Sequence, residues 1–74
     1  MENKHQNLYK QLGLNISYYR KLRGKSQIQL AEQIEISRTH MSRIETAECA
    51  VSLDVIFNIC QVLDVSPAKL FEQR

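Results

Sequence analysis

Apolar residues recur at helical spacing along most of the chain. Leu8, Leu12, Ile16, Tyr19 and Leu22 follow at steps of three or four, the repeat that lines one face of an α-helix. Gly24 arrives where a left-handed residue can close that helix, so the pattern predicts a first helix over about residues 8–23. Ser26 is a helix-starting residue ahead of Leu30, Ala31 and Ile34, which predicts a second helix over roughly 27–34. Ser37 opens a third, with Met41 and Ile44 inward and an end near Thr46. The stretch "AECAV" reads as a loop. Ser52 then opens a fourth helix with Leu53, Ile56, Phe57, Cys60 and Leu63 as its predicted inner face. Ser66-Pro67 repeats the start signal, because proline at the first helical position costs no hydrogen bond, and Leu70 and Phe71 are predicted inward from a short fifth helix.

Composition agrees with an all-α chain. Two glycines and one proline among 74 residues leave too little turn chemistry for many short strands. The expected architecture is a compact five-helix bundle, with residues 1–7 as a flexible tail and 8–74 as one domain. No run approaches the ~20 apolar residues of a membrane span, and "MENKHQN" is too polar for a signal peptide, so the expected compartment is the cytoplasm. Cys49 and Cys60 lie eleven positions apart, outside close-set metal-ligand spacing, and are expected as free thiols, with Cys60 buried.

Net charge is only +2, but its distribution is uneven. Residues 17–43 carry Arg20, Lys21, Arg23, Lys25, Arg38 and Arg43 against Glu32 and Glu35, a balance of +4, whereas residues 44–74 balance at −3. The cations thus gather around the second and third helices. Those helices are separated by little more than Glu35 and Ile36, so they cross steeply, and Ala31 is small enough for the backbones to approach. At about 100° per residue, Ser37, Met41 and Ile44 share one side of the third helix. Arg38, Thr39, Ser42 and Arg43 fall within roughly 140° on the other, with His40 on the flank.

Two arginines, a threonine and a serine on an exposed helix face suit the major groove of DNA. Arginine can grip guanine O6 and N7 together, threonine offers a methyl or a hydroxyl to a base edge, and all of them can hold phosphate. Catalysis finds little support: His5 and His40 pair with no nucleophile, no glycine-rich phosphate loop is present, and no second ligand accompanies His40 for a metal. Neither an enzyme nor a cofactor is expected.

The segments "LGLNISYYRKLRGKSQIQLAEQIEISRTHMSRIE" and "SLDVIFNICQVLDVSPAKLF" resemble the helix-turn-helix family of phage repressor and Cro type, the xenobiotic-response-element or XRE family. The resemblance implies that Arg38, Thr39 and Arg43 contact bases and that Ser37, His40 and Ser42 contact bases or backbone phosphate, of which Ser42 is expected on a base and Ser37 and His40 on phosphate. It implies a phosphate contact for Gln27 and a structural ion pair between Arg20 and Glu45, while Lys25 and Arg23 are phosphate rim or plain surface charge. It departs from the family at Glu35, Ala47 and Asp64, where glycine is frequent, and at Val51, where proline is frequent. The implied function is a transcriptional regulator, a repressor or autoregulator, that binds an inverted-repeat operator in double-stranded DNA as a homodimer, with residues 37–46 in the major groove. The loop 46–51, the exposed side of the fourth helix and the fifth helix are the candidate dimer surfaces, with Val51, Val55 and Val62 as apolar residues the core can spare. The alternative is a protein-interaction module, such as an antitoxin or adaptor, built on the same fold.

Overall fold

The computed structural model describes residues 4–73. Five helices follow one another among them: α1 (Gln6–Leu22), α2 (Gln27–Gln33), α3 (Arg38–Glu45), α4 (Leu53–Leu63) and α5 (Pro67–Leu70). The all-α bundle is therefore the one the pattern predicts. Its start differs, since α1 begins inside the segment expected to be a loose tail. The Gln6 side-chain amide donates to the Ala47 carbonyl at 3.0 Å, which ties this first turn to the loop after α3. Residues 1–3 of the expected tail lie outside the described residues.

Serine hydroxyls open the three middle helices. Ser26 accepts from the Gln29 amide while the Gln29 side chain accepts from the Ser26 amide, a capping box that satisfies two otherwise unpaired donors. Ser37 accepts from the His40 amide and Ser52 from the Val55 amide. The first four helices also close alike. Lys25 donates its amide to the Arg20 carbonyl, Ile36 to Ala31, Glu48 to Arg43 and Val65 to Cys60, the long-range bond of a Schellman closure. Each closure requires a left-handed residue. Gly24, Glu35, Ala47 and Asp64 supply it with φ of 70°, 61°, 61° and 55°, so three positions where the family favours glycine keep the glycine-like backbone without glycine.

Leu12, Ile16, Leu30, Ala31, Met41, Ile44, Ile56, Ile59, Leu63 and Leu70 fill the core. On two helices the buried face departs from the predicted one. Leu8 and Leu22 of α1 are exposed, and the buried arc includes Gly13, Asn15 and Arg20 instead. On α4, Ile59 is buried in place of Leu53 and Phe57, which are 63% and 51% exposed. Phe71 is also exposed rather than inward, whereas Val51, Val55 and Val62, expected to be spare, pack against the core. Asp54, Asn58 and Gln61 share one side of α4, and packing against α1, α2 and α5 buries the side opposite them, which leaves Leu53 and Phe57 on the flank.

Asn15 is completely buried, and its amide nitrogen donates to the Leu70 and Glu72 carbonyls at 2.8 and 2.7 Å. It supplies α5 with the C-terminal partner that a short helix cannot make for itself. Burial also pushes the Cys60 thiol up from its ordinary range, and both cysteines are free. No helix among the described residues is long and apolar enough to cross a membrane.

Candidate nucleic-acid interface

α2 and α3 meet over Leu30 and Ala31 on one side and Met41 and Ile44 on the other, all buried. Ala31 is 2% exposed and its carbonyl accepts the Ile36 amide at 2.9 Å, so the small side chain lies at the crossing and its backbone closes the turn. Packing consumes one side of α3 and leaves the other side outward.

Arg38, Thr39 and Arg43 are exposed and Ser42 is half-buried. These four residues line one shallow depression together with Glu48, so the fold brings together the residues expected to contact bases. Among the described residues the guanidinium groups of Arg38 and Arg43 make no hydrogen bond or ion pair. The other two described arginines are committed internally. Arg20, almost wholly buried, sends Nε to Glu45 Oε2 at 2.7 Å and Nη2 to Glu45 Oε1 at 3.0 Å, while Nη1 reaches the Lys25 carbonyl at 2.9 Å. This forked pair joins α1 to the last residue of α3 with the two parallel bonds that arginine geometry favours.

Arg23 lies elsewhere. Its Nε donates to the Leu63 carbonyl at 2.7 Å and its Nη2 to the Asp64 carbonyl at 3.2 Å, so it caps the C-terminal end of α4, where a cation is favoured. The sequence leaves Arg23 between phosphate rim and plain surface charge, and the structure adds this capping role, which no local pattern marks. Gln27 is half-buried, and its side-chain amide donates to Glu45 Oε1 at 3.0 Å, a bond that the sequence did not point to. Ser37 is exposed with its oxygen accepting from the His40 amide, which leaves its hydroxyl hydrogen available. His40 and Lys25 are half-buried.

Two further residues shape the site without having been singled out by sequence. Glu48 lies in the wall of the depression, its carboxylate 2.6 Å from the Thr46 hydroxyl, which is also 2.9 Å from the Ser42 carbonyl. No periodic signal marks a loop acid of this kind. Gly13 sits where α1 crosses the end of α3: a Cβ there would lie 2.8 Å from the Ile44 carbonyl oxygen and closer still to that of Glu45. A glycine in the interior of a helix costs about 1 kcal/mol against alanine, and that local cost is the signal that points to a packing role.

Comparison with known proteins agrees with this arrangement. The restriction-modification controller protein C.AhdI from Aeromonas hydrophila is 28% identical, with 85% of this chain and 96% of that one aligned at a TM-score of 0.81. SinR, the master regulator for biofilm formation, in its complex with DNA is 32% identical over 82% of this chain and 98% of that one, with a TM-score of 0.75; the N-terminal DNA-binding domain of SinR from Bacillus subtilis is 31% identical, covering 85% and 93%, with a TM-score of 0.77. No curated protein sequence matches the chain. The helix-turn-helix family model matches residues 16–70, which include the buried ion pair, both crossing helices and the outward face of α3, and the chain therefore belongs to the helix-turn-helix family of XRE type.

Proposed function

We propose that this protein is a sequence-specific double-stranded DNA-binding transcriptional regulator that lays α3 in the major groove. The observation that carries the reading is the contrast among arginines. Arg20 and Arg23 are bound internally, whereas Arg38 and Arg43 stand outward and uncommitted around one depression with Thr39 and Ser42. In this reading Arg38, Thr39, Ser42 and Arg43 contact base edges. Lys25, Ser37 and His40 hold phosphates, as does Gln27 through the amide hydrogen that Glu45 does not use. The structural likeness to SinR, whose crystal structure is a complex with DNA, supports DNA binding.

One monomer of this size offers little surface for selective binding, so the operator is an inverted repeat read by a homodimer, with half-sites about one helical turn apart. Leu53 and Phe57, the exposed apolar residues of α4, supply the surface for the second copy. The protein acts as a repressor or autoregulator in the cytoplasm, where DNA is its partner.

Selection of duplexes from a random pool at near-physiological salt tests this directly. Enrichment of an inverted repeat is the expected result, and affinity for it falls steeply with salt because phosphate contacts release counterions. Arg38→Ala and Arg43→Ala each lose about 1–3 kcal/mol on the selected site. Equal loss on scrambled DNA overturns base reading. A second reading, a protein-interaction module such as an antitoxin or adaptor, is favoured by one feature, an apolar groove of about 510 Å³ walled by Leu8, Val51, Leu53 and Phe71. Failure to enrich any motif, together with a shallow salt dependence, selects that reading.

A further inference from the structure

We infer that Gln27 is a positioning residue for α3, so that it tunes which bases are read as well as how tightly DNA is held. The inference rests on the proposed DNA-reading function and adds to it the residue that sets the angle of the reading helix.

Glu45 is the last residue of α3, and its carboxylate has three donors. Arg20 of α1 supplies two, and Gln27 of α2 supplies the third at 3.0 Å on Oε1. The Glu45 side chain is only 5% exposed; its two bonds from Arg20 are buried and that from Gln27 is partly buried, so water competes poorly for the carboxylate. Arg20 also holds the Lys25 carbonyl in the α1–α2 turn. The end of α3 is thereby fixed to α1, to α2 and to the turn between them. The close approach of Gly13 to the Ile44 and Glu45 carbonyls fixes its distance from α1, and the buried apolar contact of α2 with α3 holds the helices together without a direction of its own. Gln27 adds a directional side-chain hydrogen bond between α2 and α3 that limits rotation of the helix end.

Removing the amide leaves the Arg20–Glu45 fork intact and the core untouched, so the fold survives. The C-terminal half of α3, which carries Ser42 and Arg43, gains freedom against α2. A contact to phosphate alone has a different signature: its loss weakens all sequences by one factor and lowers the salt slope by about one charge's share or less.

The experiment compares Gln27→Met, nearly isosteric without donors, with Gln27→Lys, which keeps a donor for Glu45, using the operator selected by the wild-type chain and every single-base variant of it. Gln27→Met is expected to change relative affinities by roughly three- to tenfold at the base pairs nearest Ser42 and Arg43, within the range of coupling between residues of one network, and much less at those nearest Arg38. Gln27→Lys is expected to retain the wild-type preference profile while binding all sequences more tightly. A Glu45→Gln background is expected to shrink the profile change caused by Gln27→Met. A uniform loss across all variants, unchanged by the Glu45→Gln background, overturns the positioning role and leaves a phosphate contact. If the Glu45→Gln chain does not fold, the pair of Gln27 variants decides by itself, since a profile retained by Gln27→Met refutes the inference. Absence of any selected operator for the wild-type chain refutes the DNA reading on which the inference stands, a result separate from both.

Discussion

Replacing Gly13 by alanine sets two opposing effects against each other, and the structure decides the sign. Gly13 lies inside α1, where alanine is favoured over glycine by about 0.8–1.0 kcal/mol on intrinsic propensity. Propensity alone thus predicts a more stable protein. The new Cβ, however, would lie 2.8 Å from the Ile44 carbonyl oxygen and nearer still to that of Glu45, where ordinary contacts begin at 3.4 Å. Both neighbours are backbone, held in the closing turn of α3 by the Glu48-to-Arg43 hydrogen bond and by the buried Arg20–Glu45 fork. Neither can swing aside as a flexible side chain would, so the helices must separate by close to 1 Å. A gap of 0.5–1 Å forfeits about a quarter to a half of each affected dispersion contact, and overpacking of this kind costs typically 1–3 kcal/mol. Because both neighbours are backbone, the cost falls in the upper part of that range, about 2–3 kcal/mol, and against the propensity gain the net loss is about 1–2 kcal/mol, a sizeable share of the roughly 4–11 kcal/mol expected for a chain this long. Urea unfolding followed by far-ultraviolet circular dichroism measures it. The expected result is a lower midpoint with an unchanged slope, and a thermal midpoint about 4–16 °C lower. A Gly13→Ala chain as stable as the parent, or more so, refutes the argument that this glycine exists for the α1–α3 approach.

Two further predictions concern backbone and charge. Glu35→Gly should raise stability by up to ~1 kcal/mol, since a left-handed residue with a Cβ is strained and Glu35 is exposed with no packing to lose; Asp64→Gly should gain less because aspartate tolerates that conformation better, and equal thermal midpoints for the two variants would contradict the reasoning. Glu48→Gln removes a negative charge from the wall of the α3 depression and should tighten binding to all duplexes, more at low salt than at high, in a titration by fluorescence anisotropy. Unchanged or weaker binding would mean that Glu48 faces away from the DNA or accepts a hydrogen bond from a base.

The chain's local code was legible because its signals are local. Serine before an apolar repeat opens α2, α3 and α4 with a side-chain cap and α5 without one, and the closing turns at Glu35, Ala47 and Asp64 follow the family's glycine pattern even with side chains in place. The outward face of α3 was legible for the same reason: Met41 and Ile44 fix its inward side, and the 100° step assigns the rest. The rotation of α4 was only partly legible, because Asp54, Asn58 and Gln61 mark its outer side but the apolar arc opposite them is wider than the buried face, so packing chose Ile59 over Leu53 and Phe57. The polar members of the core were not legible. Asn15 is buried because α5 needs a donor at its end, and Gln27 turns inward because Glu45 lies within reach across 18 residues of sequence. Arg23 caps α4 because the Leu63 carbonyl lies 40 residues away in sequence and 2.7 Å away in space. The sequence by itself determined where helices start, stop and face when their polarity is one-sided. Only the tertiary structure decided which polar side chains meet, since hydrogen bonds between distant residues depend on distances that no local pattern records.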